Sequence, residues 1–126
     1  MWKELNKKPR LKRTLPPYAS INPRGEIVLN PTVYAVLNGL NYVSLRYDDQ
    51  TGTIVIARPT INGEIYNVRK FGRKGRLRVI RARRFLTHLR IHIPKTHKFT
   101  DIRHTQNPDS VILNLLGPPG SNGKKH

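Results

Sequence analysis

Apolar residues recur along this chain at two spacings, two and three-to-four, and the switches between them divide it into short strands and two short helices. Pro16 and Pro17 hold an extended path into the first of these elements. Residues 19–22 and 26–29 then read as strands around a turn at Pro23, Arg24 and Gly25. Asn30 followed by Pro31 supplies an N-cap and a first-turn proline, and Val33, Val36, Leu37 and Leu40 recur at i, i+3, i+4 and i+7. This predicts a short helix ending near residues 39–41. Beyond it Val43, Leu45 and Tyr47 alternate with Ser44 and Arg46, residues 48–52 turn the chain, and the β-branched run 53–57 is closed by Pro59.

The second half repeats the order. Residues 65–71 predict a strand, Gly72-Arg73-Lys74-Gly75 a turn, and residues 76–80 a strand with arginine at alternate positions. Ala82, Phe85, Leu86 and Leu89 return to helical spacing before Pro94, about 49 residues after the first helix. Residues 98–104 and 110–116 predict two final strands, joined through Gln106-Asn107-Pro108-Asp109. The expectation is an α+β, β-rich chain of two ββαββ modules, residues 18–60 and 64–116, packed on each other as a pseudo-dimer in one domain. Neither module is large enough to bury a core alone. A continuous sheet with both helices on one face is the alternative arrangement. A basic arm, residues 1–17, precedes the domain and a Gly- and Pro-rich tail, residues 117–126, follows it.

Charge changes the picture. The 126 residues carry 24 Lys and Arg against 7 Asp and Glu, a net charge of +17. Such self-repulsion exceeds what solubility needs and implies a polyanionic partner. Nucleic acid is favoured over a membrane surface, because no amphipathic helix long enough for an interface is visible and no apolar run approaches a membrane span. There is no cysteine, which excludes disulfides, zinc knuckles and thiol catalysis. With no apolar run near the start, the chain is expected to stay in the cytoplasm, at the nucleoid or in a ribonucleoprotein.

The cations are unevenly placed. Residues 1–14 contain Lys3, Lys7, Lys8, Arg10, Lys12 and Arg13 against Glu4 alone, whereas residues 15–66 carry a net charge of −1. From 67 to 103 there are thirteen cations and one acid, Asp101. That asymmetry reads as one binding face plus one arm. The leading contact element is the second hairpin, with Arg69 and Lys70 on its first strand, Arg73 and Lys74 at its tip, and Arg76 and Arg78 on its second strand. Arginine suits forked contacts to phosphate or guanine. Arg81, Arg83 and Arg84 open the following helix, whose dipole favours an anion. Tyr66 and Phe71 lie nearest the hairpin and are candidates to stack on a base, while Tyr34, Tyr42 and Tyr47 are assigned to packing.

Gly25-x-Ile27-x-Leu29, the short helix, Val43-x-Leu45-x-Tyr47-Asp48, Gly52-x-Ile54-x-Ile56 and Pro59 together resemble the AbrB and MraZ superfamily of swapped-hairpin DNA-binding proteins, over about forty residues. The resemblance implies a barrel-like body of two modules, paired between chains in AbrB-like proteins and within one chain in MraZ-like ones, with basic loops on DNA. A homo-oligomer is one form it allows. It puts Arg24 at the loop position of the first module and Arg73, Lys74 and Arg76 at that of the second. This chain departs from the pattern in having Glu26 after the turn glycine, the helix proline displaced by one to Pro31, and no Asp-x-x-x-Arg signature.

Reactive chemistry is not expected, nor any metal or cofactor. His88 and His92 have the i, i+4 spacing of helical zinc sites, but no carboxylate or cysteine lies nearby and two ligands make a weak site. Asp48-Asp49 is explained by turn chemistry. The expected function is therefore non-enzymatic nucleic-acid binding, as a DNA-binding regulator or nucleoid-type protein. A ribosomal-protein-like RNA-binding component of a ribonucleoprotein is the alternative, and an adaptor for acidic proteins a third reading.

Overall fold

The computed structural model describes residues 15–61, 63–106 and 109–115. It is β-rich and antiparallel, with two short helices. The strands are β1 (Ala19–Ile21), β2 (Glu26–Leu29), β3 (Tyr42–Asp48), β4 (Thr53–Ala57), β5 (Tyr66–Phe71), β6 (Leu77–Arg81), β7 (His97–Lys98), β8 (Ile102–Thr105) and β9 (Ser110–Asn114). Helix α1 spans Pro31–Val36 and α2 spans Arg83–Leu89. The α1 start follows the local signal: the Asn30 side chain accepts from Val33 N–H at 3.1 Å and Pro31 occupies the first turn. Its end comes earlier than expected, with Leu37 as the C-cap and Asn38 and Gly39 at positive φ.

The strands form one sheet in the order β7-β1-β2-β6-β5-β3-β4-β9-β8. Its outermost strands, β7 and β8, are separated in the chain only by residues 99–101, a link that reaches at most about 14 Å. The sheet therefore curls until its two ends come together. The strand expected over 98–104 is broken at this point, because Phe99 turns into the core, where it is buried, and Phe99 N–H donates to the Ala19 carbonyl at 2.9 Å. Residues 97–98 thus pair with β1, and 102–105 pair with β9.

Inside the curl lies a core of Ile21, Ile27, Leu29, Val43, Ile54, Ile56, Ile80, Val111 and Leu113, nearly all with no exposed surface. Each such side chain contributes roughly 1.5–3 kcal/mol by leaving water. Paired residues share a face, so this row also defines the opposite, outer face. Hairpin β1–β2 does not pair with β3 or β4. Its β2 lies against β6, and β3 lies against β5. Each half of the chain therefore completes the sheet of the other.

Of the arm, residues 15–17 are described: the Pro16 carbonyl accepts from Asn30 Nδ2 at 2.8 Å and the Leu15 carbonyl from Thr32 Oγ1 at 2.7 Å. The remainder of the arm, residue 116 and the tail, residues 117–126, lie outside the described residues. No helix among the described residues is long and apolar enough to cross a membrane.

Candidate nucleic-acid interface

The β5–β6 hairpin is built on a strict register, Val68 opposite Ile80, Arg69 opposite Val79, Lys70 opposite Arg78 and Phe71 opposite Leu77. Its connection is a single 3-10 turn, Arg73–Gly75, capped by Gly72; Gly72, Lys74 and Gly75 all have positive φ. A Cβ on Gly75 would press on the Lys70 stem at 3.3 Å, so the glycine lets that lysine lie across the turn. Arg69, Lys70, Arg73, Lys74 and Arg76 are all exposed, and no carboxylate among the described residues pairs with any of them. Five unneutralised cations on about a dozen residues make a strongly positive tip.

Arg78 differs from these. The alternation that puts Arg69 and Val79 outside puts Arg78 on the same face as Ile80, turned inward where the core ends. There its Nη1 donates to the Gly75 carbonyl at 2.8 Å and the Leu77 carbonyl at 3.2 Å, and its guanidinium lies 4.6 Å from the centre of the Tyr34 ring in α1. Arg76 precedes the strand and caps the turn. The expected row of Arg76 and Arg78 along one strand face is therefore corrected: Arg78 fastens the hairpin to α1, and the open cations are those of the turn and of β5.

A second basic group forms where the β1–β2 turn meets α2. Gly25, at φ +84°, lies so close to α2 that a Cβ there would come within 2.7 Å of the Arg83 Cα, and its carbonyl accepts from Ala82 N–H at 2.8 Å. This approach brings Arg83 to the turn that carries Arg24, and strand pairing sets Arg81 opposite Glu26; all three cations are exposed. Arg24 Nη2 lies 3.1 Å from the Glu26 carboxylate. A hydrogen bond from Asn22, aided by Arg24 and Arg81, holds that carboxyl below its usual range. Arg84, expected beside them, is exposed but turned toward a different acid. It sits 3.5 Å from Glu64 and 4.8 Å from the centre of the Tyr66 ring. With Ala82 as an N-cap that offers no side-chain bond and only seven residues in α2, the anion attraction here comes from side chains and not from a helix dipole.

The aromatic assignments change as well. Tyr66 is buried, donates to Glu64 at 2.7 Å and packs edge-on against Phe85 at 6.3 Å, so it offers no open ring. Phe71 is open. Tyr42, assigned to packing, is 54% exposed on the outer face. The signal for it was present, since the alternation that buries Val43 and Leu45 turns Tyr42 outward with Ser44 and Arg46.

Lys7, Lys8, Arg10, Lys12 and Arg13 fall outside the described residues. His88 and His92 do not share a helix face, because α2 ends at Leu89 with Arg90 in the left-handed region. No three His, Cys, Asp or Glu side chains converge among the described residues. A cavity of about 520 Å³ beside the β3–β4 turn is lined by Arg46 together with Asp48 and Asp49, whose charges oppose a polyanion. Comparison with protein-family models, with curated proteins and with solved structures gives no match.

Proposed function

We propose that this chain is a non-enzymatic nucleic-acid-binding protein, a DNA-binding regulator or nucleoid-type protein, that holds backbone phosphates with the β5–β6 hairpin. One observation carries the reading: Arg69, Lys70, Arg73, Lys74 and Arg76 stand exposed on one hairpin without an acidic partner among the described residues. Arg24, Arg81 and Arg83 supply a second contact about 13 Å away, at the far end of β6.

The two halves are read as ββαββ modules with exchanged hairpins, related to the AbrB and MraZ arrangement. Three contacts support this: β2 against β6 at the centre, the Gly25 turn of the first half on α2 of the second, and Arg78 of the second half on Tyr34 in α1 of the first. An exchange of this kind sets both turns as basic projections on a shared body.

The test is binding of labelled duplex DNA across ionic strength. Six or more neutralised phosphates weaken binding about a thousandfold or more between 50 and 200 mM salt. A flat profile would sink the reading. Replacing Arg69, Arg73, Lys74 and Arg76 with alanine is expected to reduce affinity more than deleting residues 1–14, and the opposite ranking moves the site to the arm. An RNA ligand is the second reading, favoured by the open rings of Tyr42 and Phe71 beside these cations.

A further inference from the structure

Tyr42 and Phe71 are the exposed Tyr and Phe rings among the described residues, at 54% and 42%. Phosphate binding has no use for them. Strand pairing sets both on the outer face with Arg69: Tyr42 is opposite Asn67, and Asn67, Arg69 and Phe71 follow one another at alternate positions of β5. At about 3.3 Å per residue Arg69 stands about 6.6 Å from Phe71 along β5, and it lies roughly 7–8 Å from Tyr42 as its diagonal neighbour across to β3. Beside them on β6, Val79 is buried opposite Arg69 and Leu77 is half-buried opposite Phe71. A shallow cavity of about 290 Å³ at the Tyr42 end is lined by Asn41, Tyr42, Asn67, Val68 and Arg69.

From this we infer that the outer face of β5 binds an unpaired RNA segment, with bases on Tyr42 and Phe71 and a phosphate of the backbone running between them on Arg69. The inference rests on the reading of the hairpin as a nucleic-acid contact. A flat ring needs a base with an open face, and bases in a duplex cover one another's faces and expose only edges. Alternating cation and aromatic positions match the alternating phosphate and base of a single strand. The Asn41 and Asn67 amides at the cavity each offer donors and an acceptor, which suits the 2′-hydroxyl, itself both donor and acceptor. A peptide with acidic side chains satisfies the cations but leaves the rings without flat partners.

The experiment compares a roughly 10-nucleotide labelled oligouridine, the deoxyuridine oligomer of that length, and duplex DNA, each titrated against the full chain and three variants. Tyr42→Ala and Phe71→Ala are each expected to weaken RNA binding about 5- to 150-fold and leave duplex binding unchanged, and Tyr42→Phe to retain RNA binding. RNA and duplex affinities that fall together would show that the rings serve the fold, and would overturn the inference. Equal affinity for the ribose and deoxyribose oligomers overturns the assignment to RNA. If duplex binds and oligouridine does not, the inference fails and the phosphate reading stands, whereas loss of all three ligands defeats the reading itself. Photocrosslinking of 5-bromouridine RNA to the unaltered protein gives a check free of folding effects: adducts at Tyr42 or Phe71 are expected, and adducts confined elsewhere contradict the site.

Discussion

At the scale of single residues, side chains of the same type have been given different work by their surroundings. Arg78 and Arg69 sit one strand position apart in register, yet one is held by two carbonyls and a tyrosine ring while the other stands open. His97 shows the same dependence on surroundings. Its Nε2 is buried without a hydrogen-bond partner among the described residues, and its ring packs edge-on against Phe99 at 5.1 Å. Burial disfavours the imidazolium, which lowers its pKa. In the unfolded chain His97 takes a proton near its ordinary value of about 6.5 and in the fold only at lower pH. Stability is therefore complete above about pH 6.5 and declines as pH falls through the folded value. Thermal midpoints measured across this window should drop toward acid, and His97→Leu should flatten the part of the drop that His97 causes. An unchanged slope in that variant would assign the titration to other groups.

At the scale of elements, much of the local grammar was legible. The Asn30-Pro31 start of α1, the Gly25 turn and the Gly72–Gly75 turn each depend on residues adjacent in sequence, because caps and left-handed φ values are local requirements. The break between β7 and β8 was not legible, since it follows from Phe99 finding the core and Ala19, eighty residues away in the chain. Nor was the capture of Arg84 by Glu64 and Tyr66. Gly25 belongs to both classes: its turn is local, and its contact with α2 is not. Gly25→Ala should combine left-handed strain of about 1–2 kcal/mol with a clash against Arg83 backbone, for a total loss above about 2 kcal/mol. Chemical denaturation would register it. A loss no larger than the strain alone would mean that the turn moves off α2 at little cost.

At the scale of the whole molecule, strand pairing between the two halves makes them depend on one another. β2 needs β6, β3 needs β5, and β4 needs β9 to complete their hydrogen-bonded ladders. A fragment of residues 1–60 keeps one short helix and two hairpins, with its core face open to water. It should not fold as a monomer, and circular dichroism with analytical ultracentrifugation would show either an unfolded chain or a self-associated one. A folded monomeric fragment would contradict that dependence. The excess of cations acts at this scale too, because the β5–β6 turn gathers open charge while the carboxylates of Asp48 and Asp49 lie at a different turn, that of β3–β4.

By itself the sequence determined that the chain is β-rich, where the turns and helix starts lie, that the net charge is strongly positive, and which hairpin concentrates that charge. These follow from spacing, propensity and net charge, which are properties of neighbours and of sums. Only the tertiary structure decided which of the cations stay open, that Tyr42 faces outward beside Arg69, and that each hairpin lies against the other half. Those depend on pairing between residues far apart in the chain, where register and the limited space inside the curled sheet settle which side chains are turned in and which are left to meet a ligand.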